Sequence, residues 1–325
     1  MSKDRIYQLV IVGGGPGGLT AGLYACRARI DTILVEKGVE GGQILVTEWV
    51  DNYPGFPEGI SGFDLAEKMK AQAQRFGLTV MNNLVAFMDL EGDVKTITFE
   101  DGRKIRTRAV IIATGARPNK LNVPGEERLI GKGVSYCATC DGPFYRDLEI
   151  AVVGGGDTAV EEAVYLTKFA QKVTIIHRRD ELRASPIVQE EAFAHKQVSF
   201  QCDSEVIGII GEKEVEGLKL RHSDGTEDIC SFAGVFILIG TTPNNEMLPQ
   251  HQLAMENGFV ITDCMMQTNI PGVMAIGDIR HNSIRQVVSA AGDGAVAEKA
   301  VEQYLDRLRQ DNILTVEGRK CSASS

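Results

Sequence analysis

The strongest constraint on this chain is that it says the same thing twice. "YQLVIVGGGPGGLTAGLYACRARIDTILVEKG" and "EIAVVGGGDTAVEEAVYLTKFAQKVTIIHRRD" each run from a short apolar strand into clustered glycines, a helical pattern and a second β-branched strand. The first holds Gly13-x-Gly15-x-x-Gly18 and the second Gly154-x-Gly156-x-x-Ala159. Glycines there permit a tight turn and let backbone N–H groups approach a pyrophosphate, while a small last residue lets helix and strand close up. A later echo follows each unit: "AVIIATGARPNK" and "GVFILIGTTPNN" are both apolar strands ending in a glycine and a Pro-Asn turn. Such a repeat predicts two related nucleotide-binding modules in tandem.

What remains after the second echo is too short and too broken for a third module. It contains "GVMAIGDIRHNSIRQVVSAAGDGAVAEKAVEQYL", which reads as strand, loop and helix. The simplest arrangement returns this tail to the first module and makes the second module an insertion. The expected class is therefore α/β, with two tandem Rossmann-like three-layer nucleotide-binding domains, the second inserted into the first. The expected boundaries are 1–119, 120–245 and 246–325, with connections near Asn119 and Asn245. The final "NILTVEGRKCSASS" is mostly polar and reads as a frayed terminus.

Composition agrees with this and excludes some partners. The 325 residues accommodate two domains, and 43% hydrophobic content is ample for their cores. A formal net charge of −10 repels phosphate backbones, which argues against a nucleic-acid partner. No apolar run approaches the roughly 18 residues of a membrane span. "MSKDRIY" leads directly into the first strand without the apolar region of a secretory leader. Cysteines stand at 26, 137, 140, 202, 230, 264 and 321, an odd number with five isolated, which suits a reducing cytoplasm better than a disulfide framework.

The two modules differ where their second strand ends. In the first, Glu36 offers a carboxylate to a ribose 2′-hydroxyl and would repel a 2′-phosphate, so this site takes FAD or NAD. In the second, His177 holds that position, followed by Arg178, Arg179 and Arg183. Guanidinium groups bind phosphate through paired, charge-assisted hydrogen bonds, so the second site is expected to prefer NADPH over NADH. The bland alternative for "HRRDELR" is a solvated helix start. A nicotinamide site beside a second dinucleotide site suggests a flavin, which favours FAD at the first.

Just before the second glycine turn lies "SYCATCDGPFY", with Cys137, Cys140 and Asp141. A zinc site needs about four ligands, and the sequence has no second CxxC and no His pair at ligand spacing, so no metal is expected. The other readings are an inert pair and a redox dithiol, in which one thiolate attacks a disulfide and its neighbour resolves the mixed disulfide. Asp141 is either a turn residue before Gly142-Pro143 or, with its pKa raised by burial, a proton donor.

Taken together, "GGGPGGLTAGLYACRA", "GGQ", "CATCDGPFY", "GGGDTAVEEAVYLT", "HRRDELRA" and "AIGDIR…RQVVSAAGDGAVA" resemble the bacterial-type, low-molecular-weight thioredoxin reductases, in the same motif order from about Tyr7 to Tyr304. The resemblance implies a flavoprotein that passes electrons from NADPH through FAD and the Cys137–Cys140 dithiol to a thioredoxin-like protein, working as a homodimer. It implies that Cys140 faces the flavin, that Cys137 exchanges with thioredoxin and that Asp141 is the acid. It places Gln43, Asn52, Asp278, Arg285, Gln286 and Val287 against FAD, and the three arginines on the 2′-phosphate. The dithiol and the nicotinamide site share the inserted module and must both reach one flavin. A swing of that module between half-reactions is therefore expected. The alternatives are the flavin subunit of an alkyl hydroperoxide reductase, which usually carries an extra N-terminal redox domain, and a non-catalytic redox sensor. Cys26 reads as a packed small hydrophobe and Trp49 as packing near the first module's loop. Cys202, Cys230 and Cys264 have no partner in sequence, and Cys321 is single where catalytic C-terminal thiols act in pairs.

Overall fold

In the computed structural model, which describes residues 5–322, the chain divides into two units, Met1–Arg117 with Pro243–Ser325, and Pro118–Thr242. In chain order the first unit opens with β1 (Ile6–Val12), α1 (Pro16–Arg27) and β2 (Thr32–Glu36). Next come α2 (Gly62–Arg75), β3 (Thr79–Asn82), β4 (Val85–Asp89), β5 (Lys95–Phe99) and β6 (Lys104–Ile112). A crossing strand, β7 (Ala116–Pro118), leads out.

The second unit holds β8 (Val134–Ser135), α3 (Ala138–Asp141), β9 (Glu149–Val153), α4 (Asp157–Leu166), β10 (Lys172–Ile176), α5 (Pro186–Ala194) and β11 (Val198–Gln201). Three strands, β12 (Ser204–Ile210), β13 (Gly217–His222) and β14 (Glu227–Ser231), precede β15 (Gly234–Ile237). The return strand β16 (Thr241–Pro243) pairs with β7, so the outgoing and returning connections form one two-stranded ribbon. The first unit then closes with β17 (Met255–Glu256), β18 (Phe259–Val260), β19 (Val273–Ala275) and α6 (Val287–Ser322).

The sheet of the first unit runs β3-β2-β1-β6-β5-β4, with β19 also on β6. The β1, β2, β3, β6 and β19 pairings are parallel, and β4–β5–β6 are antiparallel. β1 reads as nearly continuous apolar residues because both faces are covered. Its side chains alternate: Val10 and Val12 join a core with Val110 and Ile112, while Leu9 and Ile11 join a core with Leu19 of α1 and Ala297 of α6. α1 and α6 cross closely, since a Cβ on Gly294 would meet Ala21 N at 2.9 Å and one on Gly17 would meet Ala290 O at 3.0 Å. The helix of α6 continues to Ser322, past the point where the polar composition reads as a frayed end. Extending an existing helix costs far less than starting one, and no proline interrupts the run.

The sheet of the second unit is parallel, in the order β11-β10-β9-β15-β8, and β12-β13-β14 form a separate antiparallel sheet. Ala151 and Val153 face a core shared with Leu218 and Leu220 of the antiparallel strands. Ile150 and Val152 face Val160, Ala163 and Leu166 of α4. The layers are thus helices, parallel sheet and antiparallel strands. The glycine turns follow the carboxyl ends of β1 in the first unit and β9 in the second, each flanked by parallel strands on both sides, which is where nucleotides bind in such sheets.

Candidate active site

The dithiol is built on one helical turn. Cys137 caps α3 with an extended backbone (φ −142°, ψ 103°), and its sulfur accepts the Cys140 N–H at 3.2 Å. Cys137 and Cys140 form a disulfide with Cα atoms 5.3 Å apart, and both residues are half-buried. The Thr139 hydroxyl lies 3.4 Å from the Cys137 sulfur. The Ala138 N–H donates to Glu162 of α4, also at 3.4 Å. A backbone N–H aimed at a sulfur stabilises the thiolate that opening of the disulfide would leave there.

Asp141 follows directly. Burial pushes its carboxyl above the usual carboxylate range, and a hydrogen bond with Ser135 opposes that rise. Nearby Tyr145 is pushed up to about 12, first by burial and then by Asp141 and Glu214.

Residues that the sequence did not single out hold this turn. The Ser135 hydroxyl accepts the Cys137 N–H at 3.1 Å. Glu126 is 1% exposed, and its carboxylate accepts the N–H groups of Leu121 (3.0 Å), Asn122 (2.6 Å) and Val123 (3.4 Å) and the Tyr136 hydroxyl (2.7 Å). Burial, followed by Glu126, raises the Tyr136 phenol. The stretch after the crossing strand is thereby tied to the residue before Cys137. A buried carboxylate with four donors is invisible in "PGEERL", where neighbouring Glu127 looks the same but pairs with exposed Lys120.

At the first glycine turn, Glu36 accepts the N–H groups of Gly14 (2.7 Å) and Gly38 (3.0 Å). A Cβ on Gly13 or Gly18 would run into backbone, of Ala113 and Gly13 respectively, whereas one on Gly15 would meet nothing within 4 Å. The turn is tight behind and open in front, as a pyrophosphate cradle requires. Pro16 starts α1 without any side-chain cap, leaving first-turn N–H groups for a ligand. Thr114, just beyond β6, has a buried hydroxyl with no hydrogen-bond partner among the described residues. Gln43 donates to Ala116 O.

Asn52 donates to Gln286 at 3.0 Å, although 234 residues separate them. Asp278 sits on the turn Gly277–Ile279, half-buried. Burial raises its carboxyl, while Arg285 and a 3.4 Å hydrogen bond from Ser283 oppose the rise. Arg285 is exposed, has φ 52° and lies over the Phe259 ring at 5.6 Å, and Val287 begins α6. These groups and the open turn fit a dinucleotide such as FAD.

At the second turn, a Cβ on Gly154 would meet Ala159 Cβ and Leu238 O, both at 2.6 Å, and one on Gly156 would meet nothing within 4 Å. The His177 ring packs directly on Gly155 and is 6% exposed, and its Nε2 has no partner among the described residues. Burial and then Arg183, Arg179 and Arg178 lower its pKa, so the ring is neutral at pH 7. The Arg183 N–H (2.6 Å) and the Ala184 N–H (3.0 Å) close onto Gly155 O, which carries the arginine segment back to the turn. Arg178, Arg179 and Arg183 are exposed, and among the described residues none forms an ion pair. Unpaired guanidinium groups beside an open glycine turn fit a phosphorylated nucleotide.

Cys26 is half-buried in the core beneath α1, where burial pushes its thiol up. Trp49 is 44% exposed, donates to Asp51 at 3.1 Å and packs its indole against Gly59 of the same loop, as expected from sequence. The side chain of Cys321 lies outside the described residues. No group of acids, histidines or cysteines suited to a metal occurs among the described residues, and no helix there is long and apolar enough to cross a membrane.

Residues 7–294 match the family described as pyridine nucleotide-disulphide oxidoreductase. A thioredoxin reductase of Listeria monocytogenes is 45% identical over 311 residues, which are 95% of this chain and 97% of that protein. One from Bacillus subtilis is 43% identical over 95% of this chain and 98% of its own. Among solved structures, a thioredoxin reductase from Streptococcus pyogenes is 44% identical with a TM-score of 0.90, covering 94% of this chain and all of its own. The Lactococcus lactis enzyme, described as in its FR conformation, is 43% identical with a TM-score of 0.63, covering 93% and 99%.

Proposed function

The chain belongs to the pyridine nucleotide-disulphide oxidoreductase family, and on that premise we propose that it is an NADPH-dependent thioredoxin reductase using FAD. The observation that carries this reading is the half-buried Cys137–Cys140 disulfide on the unit that also bears the open glycine turn and its three unpaired arginines. Bound FAD would supply two-electron relay between nicotinamide and sulfur.

The chain's own residues do the rest. Glu36 and the Gly13–Gly18 turn bind the adenosine end of FAD, while Gln43, Asn52, Asp278, Arg285, Gln286 and Val287 line its remaining length. Gly154, Gly156 and His177 seat NADPH, with Arg178, Arg179 and Arg183 on its 2′-phosphate. In the reduced dithiol, the Cys137 thiolate attacks a disulfide of thioredoxin and forms a mixed disulfide, releasing one thioredoxin sulfur. Cys140 then attacks the Cys137 sulfur, re-forming the intramolecular disulfide and freeing the second. Asp141, held above the ordinary carboxylate range by burial, delivers a proton to sulfur during this exchange.

The dithiol and the nucleotide turn share one unit, so the swing expected from sequence belongs to the proposal. The resemblance extends the reading to a cytoplasmic homodimer.

The test is NADPH oxidation with purified thioredoxin in three arms: wild type, Cys140→Ser, and wild type with its two units crosslinked. Wild type is expected to turn over repeatedly. Cys140→Ser is expected to lose thioredoxin reduction. The crosslinked enzyme is expected to complete one half-reaction and stop. Reduction by NADPH without sustained turnover in the wild type would instead indicate a redox sensor, and normal cycling after crosslinking would remove the swing.

A further inference from the structure

The three exposed arginines of the second unit stand on a segment, residues 177–185, that is neither helix nor strand. An irregular segment presents a fixed phosphate clamp only if its backbone is pinned at both ends. The outgoing end is pinned beside β11. The His177 N–H donates to Gln201 O, and Arg179 O accepts the Asp203 N–H, both at 3.0 Å. The returning end is pinned to the glycine turn by three consecutive N–H groups. Those of Arg183 and Ala184 donate to Gly155 O, and that of Ser185 donates to the Asp157 carboxylate at 2.6 Å. Asp157 thus supplies the side-chain acceptor of this junction, two residues beyond Arg183.

The place is an unexpected one for an acid. Asp157 is the first residue of α4, the helix whose start faces the phosphates of a nucleotide at the open turn, and it is exposed. A carboxylate there repels a bound phosphate and competes for the same helix end. The matching position of the first turn is Pro16, which carries no charge and no side-chain acceptor. The hydrogen bond from Ser185 gives the acid its other task.

We propose that Asp157 is a positioning residue for nucleotide choice: by accepting the Ser185 N–H it fixes the return of the arginine segment against the glycine turn, and so holds Arg183 and its neighbours where they meet a 2′-phosphate. This deepens the NADPH reading and rests on it. The two effects of Asp157 separate by ligand. Repulsion acts on the pyrophosphate, which NADPH and NADH share, whereas anchoring acts on the 2′-phosphate, which only NADPH carries. The selectivity ratio between the two nucleotides therefore reads the anchoring alone.

The experiment compares wild type, Asp157→Ala, Asp157→Asn and Ser185→Pro as holoenzymes. It measures kcat/KM for NADPH and for NADH with ferricyanide as electron acceptor, calorimetric Kd values for 2′,5′-ADP and 5′-AMP, and melting temperature. Asp157→Ala removes the acceptor. Ser185→Pro removes the donor at a residue whose φ of −61° suits proline, and so tests the same bond if Asp157→Ala does not fold. In both, the NADPH-to-NADH selectivity is expected to fall about three- to tenfold, with a matching loss for 2′,5′-ADP and little change for 5′-AMP. Asp157→Asn keeps an acceptor oxygen, and its selectivity is expected to stay within about twofold of wild type while both nucleotides bind more tightly. A merely structural aspartate would lower the melting temperature or weaken both nucleotides alike. Selectivity that stays at the wild-type value in Asp157→Ala or Ser185→Pro, in an enzyme that prefers NADPH, would overturn the proposal and leave the arginine clamp standing. A wild type that favours neither NADPH nor 2′,5′-ADP would remove the clamp reading and this proposal with it.

Discussion

The two glycine turns are near copies in backbone and opposites in chemistry. Both follow a parallel strand, both leave open space in front of one glycine (Gly15 and Gly156), and both start a helix without a side-chain cap. At the end of the next strand one carries Glu36, which grips two backbone N–H groups of its own turn. The other carries His177, whose neutral ring lies flat against Gly155 with a buried nitrogen unpartnered, and beyond it are three arginines with no ion-pair partners among the described residues. One scaffold thus presents an anionic acceptor in one unit and a cationic fork in the other. Phosphate geometry is a property of the shared backbone, and nucleotide identity is a property of the few side chains at the strand's end.

The sharpest way to break this comparison is to erase the fork. Replacing Arg178 and Arg179 together by serine is expected to raise KM for NADPH by about 100-fold or more while leaving KM for NADH nearly unchanged. Each charge-assisted contact is worth about 1.5–3 kcal/mol. Steady-state kinetics with both nucleotides would check it, and equal effects on the two would place the 2′-phosphate elsewhere. A smaller effect is expected from Glu36→Gln, which puts an amide where two backbone donors need acceptors. FAD retention through gel filtration should fall, with about 1–3 kcal/mol lost from stability in denaturant titration. Retention and stability equal to wild type would show that the turn does not depend on the carboxylate. The smallest effect is expected from His177→Gln. Because burial and the arginines keep the ring neutral, it contributes no charge at pH 7.5, and KM for NADPH should change by only about two- to tenfold. A shift as large as the arginine pair's would mean that the ring is charged in the complex.

Much of the architecture was legible along the chain because its signals are local. A strand buried on both faces, a turn that admits only glycine and a helix that closes on it are written in consecutive residues. The CxxC pair was legible for the same reason, since three positions of spacing suit a single helical turn. The continuation of α6 to Ser322 was not legible, because a polar composition does not record that extending a helix already formed costs far less than starting one.

What the amino-acid sequence determined by itself was the repeat, the difference between Glu36 and the His177 segment, and the dithiol between the first echo and the second glycine turn. What only the tertiary structure decided was which distant groups meet. Asn52 reaches Gln286, Glu126 rather than Glu127 becomes the buried acceptor, and the buried Ser135 hydroxyl takes up the Cys137 N–H. The physical reason is that strand and turn signals come from a residue's own backbone freedom and its neighbours' periodicity. A buried polar group, by contrast, is specified by the requirement that every donor and acceptor withdrawn from water find a partner, wherever in the chain that partner lies.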